Sequence, residues 1–403
     1  MRIFWAASAV AALTGCAAST VPPAASDAPP RVTQSNPATA PSMAPQDSIL
    51  FWDADRRSAA FRAMQGYFTG LNVAPANEVR QLPDGNTLPQ TQQDALRAYM
   101  AKTDAAGLMV LQDGKVRFED YGLDFRSDQR WTSFSVAKSF TSTLLGAAIR
   151  DGRIESVDTL VTSILPELAG TAYDGVTVGQ VATMTSGVAW NEDYSDPNSD
   201  VAKMLAVAPV AGESQAVTYA KSLSREAPAG EKWVYKTLET NLLGLLVERA
   251  VGMPLAEYAA SKIVEPAGLE GGMFWMQDLT GGNIAGCCIS LRLSDYARFG
   301  QFVLEGGRDV VPQGWFAEAT APQVSFAPRA PGFGYGYQWW TYPGGAFGAQ
   351  GIFGQAVTIV PEKNLVVAVV SNWPTATSNA YRDEFRALVG ELALLTDMVC
   401  PAT

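Results

Sequence analysis

Trp131-Thr132-Ser133-Phe134-Ser135-Val136-Ala137-Lys138 is the stretch on which the reading of this chain turns, because the 403 residues around it contain no histidine. A hydrolytic serine needs a base, and a Ser-His-Asp arrangement cannot be built without an imidazole. Lys138 stands three positions after Ser135. On a helix, positions i and i+3 share a face, so the hydroxyl and the amine can meet. An ammonium cannot accept a proton, but burial among apolar groups and nearby positive charge lower an amine's pKa toward neutrality. Alone, a Ser-x-x-Lys match is weak, since a solvated lysine on an ordinary helix spells the same letters. Its weight comes from what surrounds it.

Upstream, Leu108-Met109-Val110-Leu111 and Val116-Arg117-Phe118 flank Asp113-Gly114, a pair suited to a tight hairpin turn. Thr132 or Ser133 is the expected N-cap of a helix running to about Arg150, with Phe140, Leu144, Leu145 and Ile149 on its apolar face. Residues 50–103 read as helices and loops. Residues 151–315 read as mostly helical, with patterns at 238–251, 254–264 and 294–305. Strand patterns return at Tyr335–Tyr342, Gln355–Val360 and Leu365–Ser371, before a final helix over about 379–395. Strands at both ends with helices between them predict an α+β fold. One antiparallel sheet would be built from both termini and flanked by helices, with a mainly helical insertion over roughly 151–315.

The composition is that of a globular protein, 47% hydrophobic and 17% charged. A formal net charge of −11 and the lack of any basic run exclude a nucleic-acid binder. With no histidine and no C-x-x-C pair, neither a metal site nor a cofactor is expected. Residues 1–15 read as a signal segment: Arg2 precedes a short apolar run that ends in Leu13-Thr14-Gly15-Cys16. That ending resembles a bacterial lipobox, which implies lipidation of Cys16 and a bacterial envelope location, facing the periplasm or on the outer membrane. Residues 16–49, rich in Ala, Pro, Ser and Thr, read as a disordered tether, and 50–403 as the hydrolase domain. Cys287 and Cys288 are expected as buried thiols. A bridge from one of them to Cys400 and a vicinal bridge are the alternatives.

Two further segments join the first. Trp233-Val234-Tyr235-Lys236-Thr237-Leu238-Glu239-Thr240-Asn241 leads into Leu242-Leu243-Gly244, and Gly348-Ala349-Gln350-Gly351-Ile352-Phe353-Gly354-Gln355 lies in the strand-rich C-terminal part. With Thr185-Ser186-Gly187 and Asp295-Tyr296-Ala297-Arg298-Phe299-Gly300, and in this order, they resemble the serine β-lactamase and penicillin-binding-protein superfamily over roughly residues 90–395. The likeness is nearer to the class C-type branch, which includes carboxylesterases and 6-aminohexanoate-dimer hydrolases.

The resemblance implies a β-lactamase/DD-peptidase-like fold and a role for each matching residue. Ser135 would be the acylated nucleophile, Lys138 its base, and Tyr235 a second proton carrier whose phenol is lowered by neighbouring cations. The backbone N–H groups of Ser135 and Ile352 would form the oxyanion hole. Gly351 matches the glycine of the third motif and would border the substrate. Trp190 and Tyr194, in the aromatic-acidic run after the Thr-Ser-Gly turn, are candidates for lining the substrate mouth, while Trp339-Trp340 reads as core packing.

Two departures matter. The third motif reads Ala349-Gln350-Gly351, without the Lys or His usual in β-lactamases, and Thr237 stands where class C enzymes carry asparagine. The expectation is therefore a serine hydrolase acting on a small-molecule ester or amide. A β-lactamase or D-Ala-D-Ala carboxypeptidase is the alternative within enzymes. A non-catalytic envelope-binding protein is the alternative outside them, although Ser135, Lys138 and Tyr235 are all intact.

Overall fold

A computed structural model describes residues 31–395 apart from 39, 42 and 43. The expected signal segment, Cys16, the first half of the tether and Cys400 lie outside the described residues.

The hairpin predicted around Asp113-Gly114 is present. Both turn residues have positive φ (51° and 71°), the conformation that matches the twist of a two-residue hairpin loop. Numbered along the chain, its strands are β3 (Ala105–Gln112) and β4 (Lys115–Tyr121) of an eight-stranded antiparallel sheet. The sheet continues from β3 through β13 (Leu365–Ser371), β12 (Ala356–Val360), β11 (Phe347–Gln350), β10 (Trp340–Thr341), β9 (Gly334–Tyr335) and β8 (Val324–Ser325). The pairing of Val367 with Val110 and of Thr358 with Val367 joins the two ends of the chain, as predicted.

Side-chain alternation then sets the layers. Leu108, Val110, Val367 and Val369 pack with Leu96 and Tyr99 of α1 (Gln90–Lys102) and with Phe385 and Val389 of α5 (Asn379–Leu395). Met109, Leu111, Val366 and Ala368 fall in the main core with α2 (Ala137–Arg150), α3 (Thr237–Val251) and α4 (Leu293–Leu304). The approach of α4 is close: a Cβ on Gly300 would lie 2.5 Å from Val366 Cγ1. The sheet is thus covered on both faces, which is why β13 reads as an unbroken apolar run.

The expectation of a single sheet is corrected. A second antiparallel sheet runs in the order β1 (Val32–Ser35), β2 (Gly70–Val73), β6 (Met273–Met276), β7 (Ile289–Leu291) and β5 (Trp131–Thr132). Met273-Phe274-Trp275-Met276 is buried throughout, and an apolar run that short carries no period to separate strand from helix. The tether is corrected too. Val32 pairs with Val73, and Asp53 caps a helix over Ala54–Phe61 after the turns at Pro45–Asp47 and Ile49–Phe51.

Candidate active site

Ser135 lies in the short turn that leads from β5 into α2. The expected side-chain cap on α2 is absent. Ser133 is already helical (φ −84°, ψ −25°), and its hydroxyl donates to the Phe134 carbonyl at 2.9 Å and accepts from the Ile289 amide at 3.0 Å. The chain instead enters α2 through a tight turn, Phe134–Val136. Phe134 sits at φ +42°, a conformation that costs a non-glycine residue of order 1 kcal/mol or more. Aromatic packing holds it there, with Phe61 at 5.0 Å and Phe353 at 5.3 Å between ring centroids. The strained turn places Ser135, 9% exposed, at the edge of a cleft.

Gly351 passes directly behind that turn. A Cβ there would lie 2.5 Å from the Ser133 carbonyl oxygen and 3.1 Å from the Ser135 nitrogen, so only glycine lets the third-motif backbone approach the nucleophile. Ile352 borders the same cleft as Ser135, as an oxyanion hole made from their two N–H groups requires.

Lys138 lies in the first turn of α2, 2% exposed. Its Nζ donates to the Gly286 carbonyl at 2.8 Å and to Thr237 Oγ1 at 3.0 Å. Burial pushes its pKa down to about 7, while the Glu192 charge pulls it the other way. Gly286 is itself pinned, its amide donating to Asn241 Oδ1 at 2.8 Å, and a Cβ on it would lie 3.0 Å from Lys138 Nζ. The lysine is thus a hydrogen-bonded amine that can exist neutral near physiological pH.

Tyr235 precedes α3, with its ring centroid 5.3 Å from Lys138 Nζ and its phenol near enough to Ser135 for the serine to lower its pKa. The expectation that cations lower its phenol is corrected. Burial raises its pKa well above the ordinary tyrosine value, Glu192 adds to the rise, and the contact with Ser135 and the Arg382 charge oppose it only in part. Tyr235 is therefore a neutral phenol, suited to donate or relay a proton and not to abstract one as a tyrosinate. It stacks on Trp340 at 5.6 Å, so Trp340 belongs to the site, while Trp339 is core as predicted.

Glu192 is the group that the sequence did not single out. Its carboxylate accepts from the Thr237 amide at 3.0 Å, from the Tyr194 hydroxyl at 2.8 Å, and also from the Thr237 hydroxyl and the Trp190 indole. Thr237 links it to Lys138. Tyr194 borders the cleft, whereas Trp190 serves to hold Glu192, which corrects its expected place in the substrate mouth. Replacing Glu192 with glutamine removes the charge that raises the Lys138 pKa. The acidic limb of the kcat/KM profile is expected to move to lower pH, as measured against wild type; an unmoved limb, or one moved upward, would contradict this role.

The rest of the wall is mostly apolar. The cleft is open at its mouth, and about 790 Å³ of space lies within and in front of it. Cys287 and Cys288, expected as buried thiols, instead form a vicinal disulfide on its border, beside Gly286. Adjacent residues can bridge only where the local backbone turns sharply, and Cys288 has φ +71°. Ala349 on β11 stands where the third-motif cation is missing, and among the described residues lining the cleft there is no lysine or arginine. The Arg382 guanidinium donates to the Gly351 carbonyl at 2.7 Å and lies over Trp373. The two supporting phrases have structural roles. Ser186 donates to Glu239, which pairs with buried Lys236 at 3.4 Å next to Tyr235, and Tyr296 donates to the Trp131 carbonyl at 2.8 Å beneath the nucleophile turn. Among the described residues no group of side chains could hold a metal ion.

Comparison with known proteins agrees with this geometry. The Beta-lactamase family model matches residues 93–391. A 6-aminohexanoate-dimer hydrolase from Paenarthrobacter ureafaciens is 31% identical over 297 residues, covering 69% of this chain and 75% of that protein. Among solved structures, a Bacillus anthracis protein provisionally described as a 6-aminohexanoate-dimer hydrolase superposes with a TM-score of 0.77 at 20% identity, covering 90% of this chain and all of the other. A class C β-lactamase in complex with cefoxitin superposes at 0.57 with 18% identity, covering 75% of this chain and 98% of that one. The chain belongs to the Beta-lactamase family and has the fold of the serine β-lactamases and penicillin-binding proteins.

Proposed function

We propose that this chain is a serine hydrolase that cleaves a carboxylic ester or amide through an acyl-enzyme on Ser135. The observation that carries the proposal is the environment of Lys138: a buried amine in the first turn of the helix that follows Ser135, with a pKa lowered to about 7 and a hydroxyl and a carbonyl to hold it in place. Neutral Lys138 takes the Ser135 proton as Oγ attacks the substrate carbonyl carbon. The N–H groups of Ser135 and Ile352 stabilise the oxyanion. The leaving oxygen or nitrogen departs with a proton relayed through the neutral Tyr235 phenol, which is recharged from Lys138. Water then attacks the acyl carbon, its proton passes back along the same groups, and the carboxylic acid leaves with Ser135 restored.

The missing third-motif cation argues against substrates recognised through a carboxylate, as β-lactams are. The Paenarthrobacter relative, named for an amide substrate, keeps amides in view beside esters. Rapid mixing with excess p-nitrophenyl acetate tests the two-step scheme. A burst of p-nitrophenol close to one equivalent per protein is expected, followed by slower steady turnover at the rate of deacylation. Linear release from the first turnover, with no covalent acetyl enzyme detectable by mass spectrometry after an acid quench, would count against an accumulating acyl-enzyme.

A further inference from the structure

The cleft has two unlike sides. Tyr235, the proton donor to the leaving group, stands with Trp340 and does not border the apolar wall. That wall begins at Ser135 and Ile352 and is built from Leu50, Met64, Phe68, Met204, Leu205 and Met276, with the disulfide sulfurs beside them. If the leaving group lies at Tyr235, the acyl group lies along the wall. Among the described residues lining it, Asp47 carries the only formal charge, and Asp47 is exposed to solvent. A charged acyl tail laid against the wall would lose its hydration without gaining a buried partner. Methionine is flexible and polarisable, so Met64, Met204 and Met276 can fit chains of differing shape. Ile49 and Leu50 come from the turn at Ile49–Phe51, so the segment leading in from the N-terminus is part of this surface.

We propose that the cleft selects an uncharged, apolar acyl group longer than acetyl, and that Ile49 and Leu50 form one wall of the acyl subsite. This rests on the hydrolase reading above. The chemistry balances without a redox partner: the acyl carbon gains Ser135 Oγ and loses the alcohol oxygen, then gains a water oxygen and loses Oγ.

The test is kcat/KM for p-nitrophenyl acetate, hexanoate and 6-aminohexanoate, the last two of nearly equal length and differing in terminal charge. Each methylene buried is worth about fourfold, so hexanoate is expected to exceed acetate by ~10²-fold. Hexanoate is also expected to exceed 6-aminohexanoate by roughly tenfold or more. Leu50→Glu is expected to cut the hexanoate-to-acetate ratio by about tenfold, with fluorophosphonate labelling of Ser135 confirming that the variant is folded. Equal rates for acetate and hexanoate, or a preference for the aminohexanoyl ester, would overturn the subsite assignment and leave the hydrolase reading standing. If no ester is cleaved and Ser135 takes no label, both fall.

Discussion

Ester turnover falls by about three to six orders of magnitude in Ser135→Ala, while the protein stays folded. In the proposed scheme the alanine removes the atom that carries the acyl group. It leaves the turn around it intact, because Phe134 is held by Phe61 and Phe353 and not by the Ser135 hydroxyl. The residual rate is that of water attacking a carbonyl held in the oxyanion hole, which alone retains a measurable acceleration. The check is steady-state kinetics on p-nitrophenyl esters beside a thermal unfolding curve. A loss smaller than about tenfold would mean that another group is the nucleophile.

Lys138→Met is expected to lose about three to five orders of magnitude in kcat/KM and to lose the acidic limb of its pH profile with it. The same substitution has a readable effect on stability. The folded Lys138 pKa, about 7, lies below the unfolded value near 10.5. Between those values the unfolded chain binds more protons, so wild-type stability rises with pH across the window, with a slope approaching about 1.4 kcal/mol per pH unit. Below pH 7 both states are protonated and the full cost of the buried ammonium is present. Methionine of similar length removes the titrating group. Urea midpoints at pH 7 and pH 9 should therefore lie closer together in the variant than in wild type. An equal pH slope in both proteins would show that Lys138 does not titrate near neutrality, and the general base would have to be sought elsewhere.

Much of this was legible in the sequence, and the reasons differ from part to part. The β3–β4 hairpin could be read because Asp113-Gly114 encodes its turn in two adjacent letters. The α5 helix could be read from its apolar period. Ser135, Lys138 and Tyr235 could be singled out as candidates because each stands in a short local phrase. The second sheet could not, because β6 and β7 are too short and too uniformly buried to show a period. Nor could the surroundings of Lys138. The Gly286 carbonyl arrives from 148 residues away, and nothing local marks that glycine as a partner. Glu192 lay in a loop whose acidic residues read equally well as solvated decoration. Its role appears only once Thr237, 45 residues on, is brought beside it. The direction of the Tyr235 shift was missed for a related reason. The Arg382 charge and the Ser135 hydroxyl pull the phenol down, but burial and the Glu192 charge outweigh them, and none of that packing is written in the local phrase.

The substrate side follows the same logic of neighbours. The apolar acyl group proposed above rests on Ala349-Gln350 in place of the third-motif cation and on Leu50, Met64 and Met276 lining the cleft.

The central claim, that Ser135 is a nucleophile activated by a largely neutral Lys138, has one most direct measurement. Wild type, Ser135→Ala and Lys138→Met are each treated with a fluorophosphonate across pH 5 to 9 and followed by intact-protein mass spectrometry with peptide mapping. The account predicts one adduct per wild-type chain, located on Ser135, with a labelling rate that climbs through pH 7, no adduct on Ser135→Ala, and slow labelling without that rise on Lys138→Met. An adduct on another residue, or a wild-type labelling rate that ignores pH in this range, would contradict it.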